Sequence, residues 1–420
     1  MREVAIIGIG QTKVDEQWDK SLRELAGEAA LEAKAEAQVA RMDSIYVGNM
    51  MSGVANQQGQ LGSMVADWIG QRFTDSVKIE SACSSGGAAF RMAYLAVASG
   101  QSDIALAVGV EKMTDSPSNE ITGALATAAD ADWEVDHGLS FVALNALLMK
   151  RYMHEYGWEG IDFAEFAINA HANAVHNPFA RFRKAITEEQ FIKSTMICDP
   201  INLMDASPIG DGAAAAILVP VEMLAPGTPR IVVAGSAAAT DTIAVHNRAH
   251  PLWLTAAEKS SKAAYAQAGI APEDIDVFEY HDAFTIMAAL SLEASGFADP
   301  GQGPALAKTG EIKVGGKIPV ATRGGLKARG HPVGATGMYQ IVEVVQQLRG
   351  QAVGTQVPDA EFGMAQNIGG SGSNIVTHIL KREGYPLKPF EFRAAFFFKA
   401  QDKSIIATTV TRFQGEPPHV

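Results

Sequence analysis

The chain has 420 residues, 47% of them hydrophobic and 19% charged, with a formal net charge of −13. Such a composition excludes a disordered chain and leaves room for two or three globular domains. The acidic balance repels phosphate backbones, so nucleic acid is excluded as a partner, and an anionic ligand would need a local basic pocket. Two cysteines, Cys83 and Cys198, make no disulfide framework; they fit a reducing cytoplasm, where a thiol is read for reactivity. The first ten residues are no signal peptide, because their apolar stretch runs directly into Gln11-Thr12-Lys13. No window holds about 18 uninterrupted apolar residues, and no membrane span is expected.

Residues 4–9 (VAIIGI) are a β-branched run bounded by glycine and predict a buried strand. Ser21-Leu-Arg-Glu24 has the spacing of a capping box, in which the two side chains satisfy each other's backbone N–H groups. It predicts a helix to about residue 39, followed by a strand over 43–47. The same order then returns. Residues 230–234 predict a strand, Thr255-Ala-Ala-Glu258 a second capping box and a helix stopping at Gly269, and 273–277 another strand. Cys83-Ser-Ser-Gly-Gly leads into a helical pattern ending at Gly100, and His331-Pro-Val-Gly-Ala-Thr-Gly into one ending at Gly350.

Repetition of strand, capped helix, strand and glycine-rich turn predicts two similar halves of mostly parallel α/β layers, 1–225 and 226–384. Residues of about 112–200 are richer in Asn, His and aromatic side chains and read as a loop region inserted over the site. Residues 205–219 read as a return to a core strand. The tail, 385–420, carries an aromatic hairpin pattern over 389–413 that must pack on its own domain or on another chain.

Cys83 follows a predicted strand (76–79) and opens a helix. A thiol at a helix N-terminus meets the positive end of the macrodipole, which favours thiolate, and Gly86 and Gly87 permit a tight turn. The alternative is a small buried hydrophobe. His331, in a loop with three glycines and beside a helix start, has the setting of a general base for a thiol. His281 directly follows a strand, where open α/β sheets place their sites; it could equally be a satisfied loop histidine. The run 366–374 (QNIGGSGSN) could present amide N–H groups to an oxyanion, or be an ordinary loop. No metal-ligand constellation stands out: His171 and His176 lack a Cys or acidic residue to complete a set.

Together these segments resemble the thiolase superfamily. SACSSGGAAF (81–90), ALAVGVEKMT (105–114), SPIGDGAAAAIL (207–218) and GGLKARGHPVGATG (324–337) carry the resemblance, in the family's order over about residues 2–382. HDAF (281–284) and HNPFARFRKAIT (176–187) are similar to the sterol-carrier-linked thiolases and the archaeal-type acetyl-CoA acetyltransferases.

The resemblance implies a five-layered αβαβα fold and ping-pong Claisen chemistry on coenzyme A thioesters such as acetyl-CoA, with no permanently bound cofactor. It implies that Cys83 carries the acyl group, that His331 takes the thiol proton and then helps hold the thioester oxygen, and that His281 shares that oxyanion site. The N–H groups of Cys83 and Gly370 would form a second oxyanion hole. It further implies a homodimer or homotetramer in lipid metabolism, as in the mevalonate pathway. A zinc-ribbon/OB-fold protein and a hydroxymethylglutaryl-CoA synthase are the partners it suggests.

Two departures stand out. Where many thiolases have a second cysteine as the base for the Cα proton, this chain has Asn367 in one motif and Ala283 in the other. The Claisen base is thereby unassigned, with His331 serving twice or His281 assisting as candidates. Arg323 replaces a small polar residue and adds a cation for a partner or for CoA phosphates, or a solvated charge. The missing base opens a rival reading as a retro-aldolase on β-hydroxyacyl-CoA, with Tyr280 or Tyr339 as acid/base; packing is the alternative role for both rings. A non-catalytic scaffold is a third reading. Arg181, Arg183 and Lys184 form a candidate CoA phosphate cluster, or a solvated loop.

Overall fold

The computed structural model describes residues 1–385; the expected tail hairpin lies outside the described residues. The N-terminal part runs β1 (Val4–Gln11), α1 (Leu22–Ala37), β2 (Ser44–Gly48), α2 (Ser52–Ala55), α3 (Leu61–Trp68), β3 (Asp75–Ile79), α4 (Ser85–Ser99) and β4 (Ala105–Glu111). Helices α5 (Ser118–Ala126), α6 (Phe141–Tyr156), α7 (Ala164–Ala174) and α8 (Glu188–Ile192) and the small pair β5 (Met196–Cys198) and β6 (Ile201–Asn202) follow, before β7 (Gly212–Pro220) re-enters the core. The C-terminal part comprises β8 (Arg230–Thr240), α9 (Thr255–Ala268), β9 (Val277–Glu279), α10 (Thr285–Ala294), α11 (Gly303–Lys308), α12 (Thr336–Leu348), β10 (Phe362–Gly369) and β11 (Asn374–Glu383).

The main sheet has the order β3-β2-β4-β7-β1-β8-β11-β10-β9. Read outward from the β1–β8 seam, the two sides are copies. First strand, last strand and the two between follow in the same order, with the same antiparallel and parallel pairings. The seam itself is short, with Ala5 opposite Val232 and Ile6 opposite Ile231. The C-terminal counterpart of β3 is reduced to a single parallel bridge between Phe278 and Val320. Helices α4 and α12 touch strands of both sides and form the middle layer, α1 covers one outer face and α9 the other. This is the expected αβαβα stacking.

Local rules explain most of the elements. Ser21 caps α1 with the reciprocal bonds expected of the box, and Gln38 closes it in the left-handed region. The second expected box does not form. Helix α9 starts one residue earlier, with Leu254 as its N-cap, so Thr255 is already helical. The Glu258 carboxylate accepts from the Trp253 indole at 2.9 Å instead. The strand expected over 273–277 begins only at Val277, because Pro272–Asp274 form a 3₁₀ turn whose Asp274 carboxylate binds the Ala271 N–H. Among the described residues no helix is long and apolar enough to cross a membrane.

The middle layer sets the site. The N-termini of α4 and α12 meet backbone to backbone: a Cβ on Gly86 would stand 2.9 Å from the Gly334 carbonyl oxygen and 3.0 Å from the Met338 nitrogen. A Cβ on Gly337 would overlap the Gly87 nitrogen and the Asn367 amide. Overpacking of this kind costs about 1–3 kcal/mol. Gly337→Ala is therefore expected to lower the thermal unfolding midpoint clearly, whereas Gly123→Ala, in α5 with open space around it, leaves it unchanged or slightly raised. Differential scanning calorimetry of both variants checks this; equal midpoints would refute the close-approach account.

Candidate active site

Cys83 stands in the turn between β3 and α4. Ala82 before it is held at φ +50°, a left-handed conformation that costs a non-glycine residue energy. The surrounding serines hold it there. Ser85 Oγ accepts from the Ser81 N–H at 2.9 Å and donates to the Ala82 carbonyl at 2.6 Å, and Ser84 Oγ donates to the Ser81 carbonyl at 2.6 Å. His331 ends the loop before α12, and its N–H donates to the Pro208 carbonyl at 3.0 Å. His281 follows β9. Its loop is tied down by Ser207 N–H to the Ala283 carbonyl at 2.8 Å and by Leu326 N–H to the Asp282 carboxylate at 2.7 Å.

These three segments converge. A thiol or ring-nitrogen atom from each of Cys83, His281 and His331 lies within 4.8 Å of the other two, and all three residues are buried. The two imidazoles meet edge to face, with centroids 5.1 Å apart. They lie on the wall of a cavity of about 520 Å³ that also exposes Gly370. Most of its remaining lining is apolar: Leu125, Phe141, Ile186, Met204, Phe284 and Ile368 are examples.

The hydrogen bonds on the far sides of the rings are specific. His331 Nδ1 is 2.7 Å from Thr336 Oγ1, and His281 Nδ1 is 3.1 Å from Asn367 Nδ2. Asn367 Oδ1 in turn accepts from the Gly87 N–H at 3.2 Å. Behind Cys83, the Glu111 carboxylate accepts from the N–H groups of Met50, Met51 and Gly334 at 3.0, 3.1 and 2.9 Å, and from the Asn49 amide at 2.8 Å. It thus joins the N-terminal strand ends to the His331 loop.

Burial dominates the electrostatics. It pushes the Cys83 thiol up to about 12, with the Glu111 carboxylate adding to the rise. The N–H groups of Cys83 and Gly370 both reach the sulfur and pull the other way, but do not win. The sequence-based expectation of a lowered thiol pKa at a helix start is thus corrected: loss of hydration outweighs the dipole. Burial and the Arg329 guanidinium hold His281 down to about 3, and burial, His281 and Arg329 hold His331 well below the ordinary imidazole value. Burial also lifts Glu111 to about 7.

Other expected residues lie elsewhere. Tyr280 packs on Phe278 in the core, and Tyr339 donates to the Thr12 carbonyl at 2.9 Å beneath the Arg329 guanidinium; neither lines the cavity. The acid/base role suggested for these rings therefore lacks access to substrate. Arg323 is buried and bonded to the Val353 carbonyl, Thr355 and Asn177, so it is neither a solvated charge nor a phosphate contact. Arg181 pairs with Glu16 at 2.6 Å and Arg183 is exposed away from the cavity lining, whereas Lys184 lines the cavity. Cys198 is half-buried in β5 and does not line it. Sequence reasoning missed Glu111, Thr336, Asn145 and Lys327. Glu111, Lys327 and Thr336 stood within the quoted 105–114 and 324–337 segments, but nothing local marked them out; Asn145, in α6, stood in none, and it and Lys327 line the cavity.

Known proteins are similar to this chain in sequence and fold. The family model "Thiolase, N-terminal domain" matches residues 4–222, and "Thiolase C-terminal domain-like" matches residues 237–382. The chain is 45% identical to an acetyl-CoA acetyltransferase of Methanothermobacter thermautotrophicus over 91% of its own length and 100% of that relative's. It is 34% identical to the benzoylsuccinyl-CoA thiolase subunit BbsB of Thauera aromatica, over 88% of this chain and 95% of the other. Among solved structures, the Ltp2-ChsH2(DUF35) aldolase is similar with a TM-score of 0.79 and 25% identity, covering 90% of this chain and 97% of that one. With both family models matched along most of its length, the chain belongs to the thiolase family.

Proposed function

We propose that this chain is an acyl-CoA C-acyltransferase that forms or cleaves an acetoacetyl-CoA-like 3-ketoacyl-CoA through an acyl group on Cys83. One observation carries the reading: a thiol, two imidazoles and two amide N–H groups converge at the wall of one largely apolar cavity. The 45% identical relative named acetyl-CoA acetyltransferase supports the same reaction.

The thiol is neutral at rest, so its proton must leave as the sulfur attacks. His331 is a neutral base within reach of it. As Cys83 Sγ bonds to the thioester carbonyl carbon, the proton passes to His331, and negative charge on the carbonyl oxygen meets the Cys83 and Gly370 N–H groups. Collapse breaks the bond to CoA sulfur, and His331 returns the proton to that leaving thiolate. Atoms balance, and Cys83 keeps the acyl group. Coenzyme A thioesters are substrates here and no resident cofactor is invoked; Lys184 at the cavity is the one member of the basic cluster placed to meet the entering chain. A cytoplasmic homo-oligomer belongs to the same reading. The Ltp2-ChsH2(DUF35) aldolase is named as a pairing with a DUF35 protein, which supports a separate partner protein for this chain as well. That similarity also favours a second reading, aldol cleavage of a β-hydroxyacyl-CoA, which needs no acyl-cysteine.

Brief exposure to acetyl-CoA is expected to add one acetyl group to the intact mass of the wild type and none to Cys83→Ser. His331→Ala is expected to slow adduct formation about 10²–10⁴-fold. No adduct on folded protein would refute acyl transfer and direct the test to β-hydroxyacyl-CoA cleavage.

The pH dependence follows from the neutral histidines. Both have depressed pKa values, so the base form persists as pH falls below about 6.5, the ordinary imidazole value. Glu111 sheds its charge near 7, which eases thiol ionisation in the same window. Rates of Cys83 acylation measured by rapid quench from pH 8 to about 5.5 should therefore show no loss centred near 6.5. A falling limb there would mean that His331 titrates as an exposed imidazole does.

A further inference from the structure

Asn367 sits where many thiolases have their second cysteine, and its contacts fix which proton each histidine carries. The reasoning starts from a donor that cannot be reversed. The Gly87 N–H donates to Asn367 at 3.2 Å, so the side-chain atom facing it is the oxygen. The amide NH₂ is then the group 3.1 Å from His281 Nδ1. Since NH₂ only donates, Nδ1 is an acceptor, and a neutral His281 must carry its proton on Nε2. His331 is set the other way. Thr336 Oγ1 donates to the Pro332 carbonyl at 3.3 Å, which leaves its lone pairs to accept from His331 Nδ1 at 2.7 Å. With the Thr336 proton on the Pro332 carbonyl, the His331 proton goes on Nδ1 and its Nε2 is bare; donation from Thr336 to Nδ1 would reverse this, and the spectra below distinguish the two.

We propose that the two histidines are locked in opposite tautomers, that His331 is the base in both half-reactions, and that Asn367 is a positioning residue that keeps His281 as a pure hydrogen-bond donor. The proposal rests on the acyl-Cys83 reading and supplies the carbon–carbon step that reading lacks. In the acyl-enzyme the sulfur bears no proton, so His331 Nε2 is free. It removes the Cα proton of the second thioester, and His281 Nε2–H stabilises the oxygen of the resulting enolate. The enolate carbon attacks the acyl carbonyl on Cys83; the C–C bond forms and the C–S bond breaks. The released thiolate regains the proton from His331, and both residues return to their starting forms. No second thiol is needed.

Asn367→Asp tests this. The Gly87 N–H can still be accepted, but the second oxygen now demands a proton on His281 Nδ1 and strips it from Nε2 in the neutral ring. Assays run near pH 8.5, about two units above the ordinary imidazole value. Cys83 acetylation should stay within about five-fold of wild type. Exchange of acetyl-CoA methyl protons with D₂O and C–C bond formation should fall about 10²–10³-fold, as expected for a lost oxyanion donor. Equal losses in both steps, or no loss in the second, would overturn the proposal. A direct readout needs no substitution at Asn367. In wild type labelled with ¹⁵N-histidine, of which the chain has 10, long-range ¹H–¹⁵N spectra should show His281 protonated at Nε2 and His331 at Nδ1. Assignment by single His→Gln variants identifies the signals. Matching tautomers would overturn the proposal even if Asn367→Asp misfolds. Absence of an acetyl adduct on the wild type would instead sink the acyl-enzyme reading, which the spectra do not probe.

Discussion

The site depends on the approach of two helix N-termini without side chains between them. Cys83 stands before α4 and His331 before α12, almost 250 residues apart in the chain. They meet because Gly86 and Gly337 carry no Cβ, so that backbone of one helix start touches backbone of the other. Any Cβ there would push the helices apart, and a thiol and an imidazole that exchange a proton tolerate little separation. Asn367 fits into the remaining space and bonds to both sides of the junction, to the Gly87 N–H and to His281. Glu111 does the same from behind, gathering N–H groups from the 49–51 turn and from Gly334.

Such a junction is buried, and burial decides its chemistry. Water would stabilise a thiolate and an imidazolium; burial removes that support, leaving a neutral thiol beside neutral rings. The resting state avoids an ion pair, and charge builds only when substrate arrives. At that moment fixed amide and imidazole donors meet it without solvent reorganisation. Arg329, fully buried and paired with Glu343 at 2.8 Å, biases both rings further toward neutrality from beneath.

The sequence made the repeated α/β order and the Cys83, His281 and His331 segments legible, because each is local: a strand end, a glycine-rich turn and a helix start occupy adjacent positions. Local rules erred where a tertiary partner outbid them. Trp253 took the carboxylate that a capping box would have used, and Pro272 delayed β9 by closing a 3₁₀ turn. Arg323 looked like a surface cation because nothing nearby in the chain discloses that the 353–355 segment and Asn177 enclose it. Tyr280 and Tyr339 were adjacent to catalytic candidates in sequence, yet their rings point into the core. The role of Asn367 was unreadable for the same reason. A side chain that speaks to both halves at once has no signature within either.

The mirrored strand order about the β1–β8 seam carries a consequence for the origin of the site. Two identical halves related by that axis would present the same residue at both helix starts: thiol facing thiol, or imidazole facing imidazole. Neither pair could pass a proton from nucleophile to base. A nucleophile opposite its base requires that the copies differ, and one chain that carries both copies guarantees that unlike turns always meet. The covalent link between the halves therefore does more than hold the protein together. It makes the pairing of two unlike reagents intramolecular.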